Sequence, residues 1–375
     1  MNTVPALRLK SMDGIRGLLA LVVAFGHTYA TFVGKWLPAP IPNFSFAVDL
    51  FFILSGMVLF HSYRTKKFTY TQFFANRLFR LIPMLYFSIA LVFLAFIVTR
   101  GELFPTWLEA GKHFNFALIG ELTLTSELFV PPPGHINPPA WSISVEIFAV
   151  SVTVLCAIAI FRAVKTRLLT LIGCAVMIAL FYWILGKTNI SMARGFMGSI
   201  AGIIAYVLLV DLKINKFAVL SASTAAIIIT IAFLVIERPI MELSLLSNKA
   251  GFIPSVIDEY LVVMLAAGVC YMVLISQPNL WDRVFEAPAI SYLGKVSYSI
   301  YLLHMPAVFL LLPLRQDGAV VQNLFVAAAA LGLTVIASGI TFRFIETPFI
   351  LLGRKILRAP LPVTAQPKII NSRQC

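Results

Sequence analysis

The sequence predicts an all-α polytopic membrane protein, a bundle of about ten transmembrane helices with both termini in the cytoplasm. Three observations predict it. Hydrophobic residues make up 60% of the 375 positions and charged residues only 12%, more apolar material than one soluble core can bury. Apolar stretches of spanning length recur from one end of the chain to the other. The lysines and arginines gather in alternate connections, which is how the positive-inside bias orients helices.

Taken in order, the spans fall near 14–33, 43–62, 82–98, 141–161, 168–185, 192–210, 216–236, 257–275, 291–312 and 322–342. The first is expected to be retained, because MNTVPALRLK leads into a full-length span with no small-residue cleavage site. Most of the 29 lysines and arginines then face the cytoplasm, among them Arg64, Lys66, Arg77, Arg80, Arg162, Lys165, Arg354 and Lys355. The net charge of +13 is therefore topological, and no nucleic-acid partner is expected.

The connections are mostly short and no internal repeat is visible, so residues 1–360 form a single membrane domain, with 361–375 a short polar cytoplasmic tail. The long outer loop 99–140 is the exception. Its VPPPGHINPPA run resists helix and leads straight into the fourth span, which predicts a rigid, partly ordered mouth. A second outer segment, 237–255, is expected to wall the same opening. On the inner side, the basic and aromatic segment Arg64–Leu81 is expected to lie along the membrane surface.

Ionisable groups inside spans are costly, so they mark a bundle interior or a watery cavity. In the first span, eleven residues at about 100° each bring His27 back to within roughly 20° of Arg16, about 16 Å further along the axis. Counting about 1.5 Å per residue from the outer boundaries, His27 and Asp49 lie about 9 Å deep, Glu146 about 7 Å and His304 about 12 Å. Four helices thus present polar groups near one level. Structural roles compete with chemical ones at each: interhelical hydrogen bonding for the histidines, an Arg partner for Asp49, and a buried pair with Arg194 for Glu146.

The segments MDGIRGLLALVVAFGH, FAVDLFFILSGMVLF, RLFRLIP, WSISVE, ARGFMGSIAG, LGKVSYSIYLLHMP and FIETP occur in that order between about residues 11 and 350. Together they resemble the membrane-bound acyltransferase-3 family of bacterial envelope O-acyltransferases. The resemblance implies a multi-pass protein of the bacterial inner membrane that moves an acyl group, commonly acetyl, from acyl-coenzyme A to a hydroxyl of a carbohydrate, glycolipid or related acceptor. It implies essential roles for Arg16 and His27 and carries Glu146, Arg77 and Arg80 into the site. Some relatives add a hydrolase-like domain after the bundle, for which this chain is expected to be too short.

The residues fit that chemistry on their own terms. Arg16, Arg77 and Arg80 at the inner mouth suit the phosphates of coenzyme A. His27 is a general base of suitable pKa, with Asp49 or Glu146 to orient it. Trp141, Arg194 and His304 are the candidates on the acceptor side, although Trp36, Trp107 and Trp141 also suit an interfacial aromatic belt. No metal is expected. The alternative is a transporter or flippase that uses His27, Asp49 and Glu146 as a proton relay.

Overall fold

The computed structural model describes residues 9–37, 44, 46–101, 114–128, 134–164, 169–174, 176–177, 180, 189–209 and 281–358. Among these the regular structure is helical throughout. Six helices are long and apolar enough to cross a membrane: Ser11–Phe32, Phe46–Tyr63, Tyr70–Arg100, Pro138–Val164, Ser297–Leu314 and Val320–Leu357. A shorter apolar helix covers Ser191–Val207. The expected spans 216–236 and 257–275, half of 168–185, the outer segment 237–255, Trp107 and the tail 361–375 lie outside the described residues.

The elements are α1 (Leu9–Phe32), α2 (Phe46–Tyr63), α3 (Tyr70–Arg100) and α4 (Phe114–Leu122). Next, α5 (Trp141–Val145) runs through a π-turn at Glu146–Val150 into α6 (Ser151–Val164), and α7 is Ile190–Leu209. The last group is α8 (Asp282–Phe285), α9 (Pro288–Lys295), α10 (Ser297–Leu311) and α11 (Val320–Thr341). A second π-turn at Phe342–Glu346 joins α11 to α12 (Thr347–Arg358).

Two expectations are corrected. The segment before the third span is not a separate element: Tyr70–Leu81 is the first part of α3 itself. The reason is local, since Thr69 and Gln72 form a reciprocal capping box that starts the helix early, and the helix runs on through Pro83. The expected span 291–312 is divided at Val296, whose φ of −95° and ψ of 8° leave the helical region between α9 and α10. At its far end α3 stops on Gly101, where a φ of +67° is the left-handed conformation that glycine adopts without a Cβ penalty.

Helix α1 is central, packing against α2, α9, α10 and α11. The glycines of GIRG, LSG and RGFMG serve close approach, as small residues do in membrane bundles. Gly17 lies on the backbone of Gly294 and Gly56 on that of Ser199, so a Cβ at either would strike main chain, while Gly195 lies against the Val145 side chain; beyond that segment, Gly202 lies on the backbone of Ile53. The outer surface of the bundle is apolar, with Val321, Phe325, Ile336 and Ile340 of α11 all exposed, as a lipid-facing helix requires. Loop 99–140 carries order where it is described: α4, a 3₁₀ turn at Ser126–Leu128 and another at Pro138–Ala140.

Candidate active site

Two cavities share a wall. One, of about 40 Å³, is lined by Arg16, Phe51, Ser55, Ser142, Glu146, Tyr298 and Tyr301. The other, also of about 40 Å³, is lined by Arg16, Ser55, Val58, Arg77, Arg80 and Glu146. Arg16, Ser55 and Glu146 belong to both, so one path runs from the three arginines, past Arg16, to Tyr301. Beyond Tyr301, whose ring is centred 6.1 Å from that of His304, lies the histidine pair.

The three arginines are not equivalent. Arg77 is nearly buried and committed: one guanidinium nitrogen donates to the Glu146 main-chain carbonyl at 2.9 Å and to its carboxylate at 3.1 Å. The π-turn that begins at Glu146 makes this possible, because a π-turn shifts the local hydrogen-bond ladder. Arg16 and Arg80 make no hydrogen bond and no ion pair among the described residues, and both face the cavity. Glu346, at the end of the second π-turn, is 4% exposed, accepts from Ser299 at 3.1 Å and acts electrostatically on Arg80 and Arg16. Its signal was a lone carboxylate in the otherwise apolar FIETP segment.

The pairing with Arg194 weighed as a structural role for Glu146 is not what forms. Arg194 instead grips Asp49, with Nε 2.8 Å from one carboxylate oxygen and a terminal nitrogen 3.0 Å from the other. This is the planar fork matched to a carboxylate, and the guanidinium also lies 5.0 Å from the Trp141 ring. Neither Asp49 nor Glu146 orients His27. The Nδ1 of His27 lies 3.1 Å from the Val23 carbonyl and 3.2 Å from His304 Nε2, and Phe44 covers the ring edge-on. A carbonyl can only accept, so the Val23 contact assigns His27 the tautomer with its hydrogen on Nδ1 and the lone pair on Nε2. The four polar groups expected at one level thus separate into a histidine pair, an Asp49–Arg194 pair and an Arg77–Glu146 pair. On the acceptor side, Trp141 and Arg194 stay together while His304 joins His27.

Beside this site, the outer-loop residue His135 sits between two buried carboxylates. Its Nε2 is 2.9 Å from Glu127 and its Nδ1 is 3.6 Å from Glu121. Burial by itself would lower the imidazole pKa, but hydrogen bonding and charge from Glu121 and Glu127 outweigh it and hold the pKa up at about 9. Glu121 is pushed up by burial, against the pull of His135. Trp36 lies under two cations, Arg315 and Lys35, centred 5.1 and 5.7 Å from its ring.

An all-helical chain with apolar spans, a lipid-facing exterior and charged groups paired across its interior is a multi-pass membrane protein. The sequence model of an acyltransferase domain, acyltransferase-3, matches residues 9–343, and the chain belongs to that family. It is similar to O-acetyltransferase OatA of Staphylococcus aureus (strain NCTC 8325 / PS 47), 22% identical over 383 residues that cover 91% of this chain and 57% of that protein. It is also similar to protein 2 in the picA locus of Rhizobium radiobacter, 32% identical over 166 residues covering 39% of this chain and 81% of that protein. The chain therefore spans little more than half the length of the Staphylococcus relative. No solved structure matches it.

Proposed function

We propose that the protein is an O-acyltransferase of the bacterial inner membrane, moving an acyl group, acetyl by analogy with its named relative, from acyl-coenzyme A to a hydroxyl of an envelope carbohydrate or glycolipid. The observation that carries it is the pair of guanidinium groups, Arg16 and Arg80, which make no hydrogen bond or ion pair among the described residues and line adjoining cavities that reach Tyr301, the ring next to His304. A half-buried Arg16 and an exposed Arg80, neither held by a hydrogen bond or ion pair among the described residues, suit phosphate, the chemistry of the nucleotide end of the donor. The distance from Arg16 to His27, about 16 Å along α1, matches an extended pantetheine arm. In this reading the bundle has about ten spans and both termini are cytoplasmic, so the arginines face the compartment that makes the donor.

The chemistry follows from the tautomer. His27 Nε2 takes the proton of the acceptor hydroxyl as its oxygen attacks the thioester carbonyl. The tetrahedral intermediate collapses with cleavage of the carbon–sulfur bond, and the thiolate leaves with the proton carried by His27. The products are the acyl ester and free coenzyme A, so the base is regenerated. Asp49 is fully engaged by Arg194 and Glu146 by Arg77, which favours this reading over a proton relay through the three groups.

The test measures acetyl-coenzyme A binding and acyl transfer on the same purified His27→Asn protein. General-base loss costs about 10²–10⁴-fold in rate with binding largely spared. Transfer near the wild-type rate would remove His27 from the mechanism.

A further inference from the structure

Helix α10 contains Pro306 two residues after His304. Proline has no N–H, so the carbonyl four residues earlier, that of Leu302, loses its partner within the helix. That carbonyl is taken by Asn137 of the outer loop, whose Nδ2 donates to it at 3.0 Å. The same nitrogen donates to Ser88 Oγ of α3 at 2.9 Å. Ser88 gives its own hydrogen to Leu85 O at 2.7 Å, so its oxygen must accept, and this fixes which way round the amide sits. Asn137 and Ser88 are completely buried, where an unmet polar group is costly. Tyr301 adds a second tie from α10 to the loop, its hydroxyl donating to Pro139 O at 3.2 Å.

The open turn of α10 therefore encloses His304, and the loop closes it from outside. We infer that Asn137 is a positioning residue for acyl transfer: it completes the α10 turn opened by Pro306 and so holds His304 against His27. The inference rests on His27 acting as the base, but its structural half stands independently of that. It also gives the HINPP segment of the loop a task, since only an amide can donate to both Leu302 O and Ser88 Oγ from one nitrogen while remaining uncharged.

The test compares four full-length proteins: wild type, Asn137→Ala, Pro306→Ala and the double variant. An alanine at 306 supplies the missing N–H to Leu302, so it makes the Asn137 bond dispensable. Three readouts are taken: acetyl-coenzyme A affinity, ester formation from labelled acetyl-coenzyme A on an envelope-glycan preparation, and the nitrogen resonances of the five histidines by selective labelling. Asn137→Ala should lose about ten- to a hundredfold in transfer, as small misplacements of reacting groups do, with donor affinity unchanged and the His304 resonances shifted. Pro306→Ala should stay close to wild type, and the double variant should regain most of the rate and the wild-type resonances.

Unchanged transfer and resonances in Asn137→Ala, or a double variant no better than the single one, would overturn the inference. If Asn137→Ala does not accumulate folded, the double variant decides: folded and active upholds the inference, misfolded or inactive overturns it. If wild type itself transfers nothing, the acyltransferase reading fails, and the histidine resonances alone decide the positioning claim.

Discussion

His304 Nε2 lies 3.2 Å from His27 Nδ1, with the two rings stacked at 5.0 Å between centroids and 26° between planes. With the tautomer assigned from the Val23 contact, His27 shares its Nδ1 hydrogen between Val23 O and His304 Nε2, and His304 carries its own hydrogen on the buried Nδ1. His304 is thus an acceptor that steadies the tautomer in which His27 Nε2 is free to act as base.

That role predicts graded effects at position 304. His304→Gln keeps an acceptor oxygen near His27 Nδ1 and should lose only severalfold in transfer rate. His304→Leu keeps volume but removes the acceptor, and should lose about tenfold to a hundredfold, less than His27→Asn. Rate and donor affinity measured on both variants check this. A Leu variant as active as Gln would show that His304 only fills space.

Part of this site was legible in the sequence and part was not. Hydropathy located six of the ten expected spans among the described residues because lipid demands about twenty apolar residues in a row, and the eleven-residue interval put Arg16 and His27 on one stripe because a helix fixes its own periodicity. Partners across helices follow no such rule. Asp49 and Glu146 come at similar depth, yet rotation about the helix axes and the π-turn at Glu146 send one to Arg194 and the other to Arg77. The histidine pair required His304 to face α1, which depends on the break at Val296 and on packing between α1 and α10. A proline two residues past an intramembrane histidine was visible throughout, but its freed carbonyl gains meaning only when Asn137 is seen beside it.

The unequal engagement of the arginines changes what their loss should do. From sequence, Arg77 and Arg80 share one expected role in donor binding, whereas the structure ties Arg77 to Glu146. Arg77→Ala removes the hydrogen-bonded partner of the half-buried Glu146 carboxylate, so folded yield should fall before donor affinity can be read. Adding Glu146→Gln should recover folded protein. Arg80→Ala and Arg16→Lys should fold normally and weaken acetyl-coenzyme A binding, Arg16→Lys because an ammonium lacks the planar fork. Thermal unfolding in detergent together with equilibrium donor binding separates the two classes. Equal donor affinity in wild type, Arg80→Ala and Arg16→Lys would remove both from the donor site.

The outer loop should respond to alkaline pH through His135. Its pKa is raised from the usual 6.5 to about 9, the protonated ring being held by Glu127 at 2.9 Å and Glu121 at 3.6 Å. A raised pKa in the folded state means that the stabilisation is fully present below about pH 6.5 and is lost as pH climbs through about 9. Glu121, raised by burial, works against ionised pairing at the acid end and does not move the alkaline edge. What the charge holds is specific. Glu121 also accepts from the Asn137 main chain at 3.2 Å, Ser144 Oγ accepts from the Glu127 main chain at 3.3 Å, and Asn189, which caps α7 through Met192, donates to the Glu127 carbonyl. Deprotonating His135 leaves two buried carboxylates facing a neutral ring, so the loop should loosen from α5 and α7 while the spans remain folded. Amide hydrogen exchange across residues 114–140, corrected for its intrinsic pH dependence, should show protection falling between about pH 7 and 9.5. His135→Gln should show weak protection already at pH 7 and no further alkaline change. Protection that is flat with pH in the wild type would mean the imidazolium does not hold the loop.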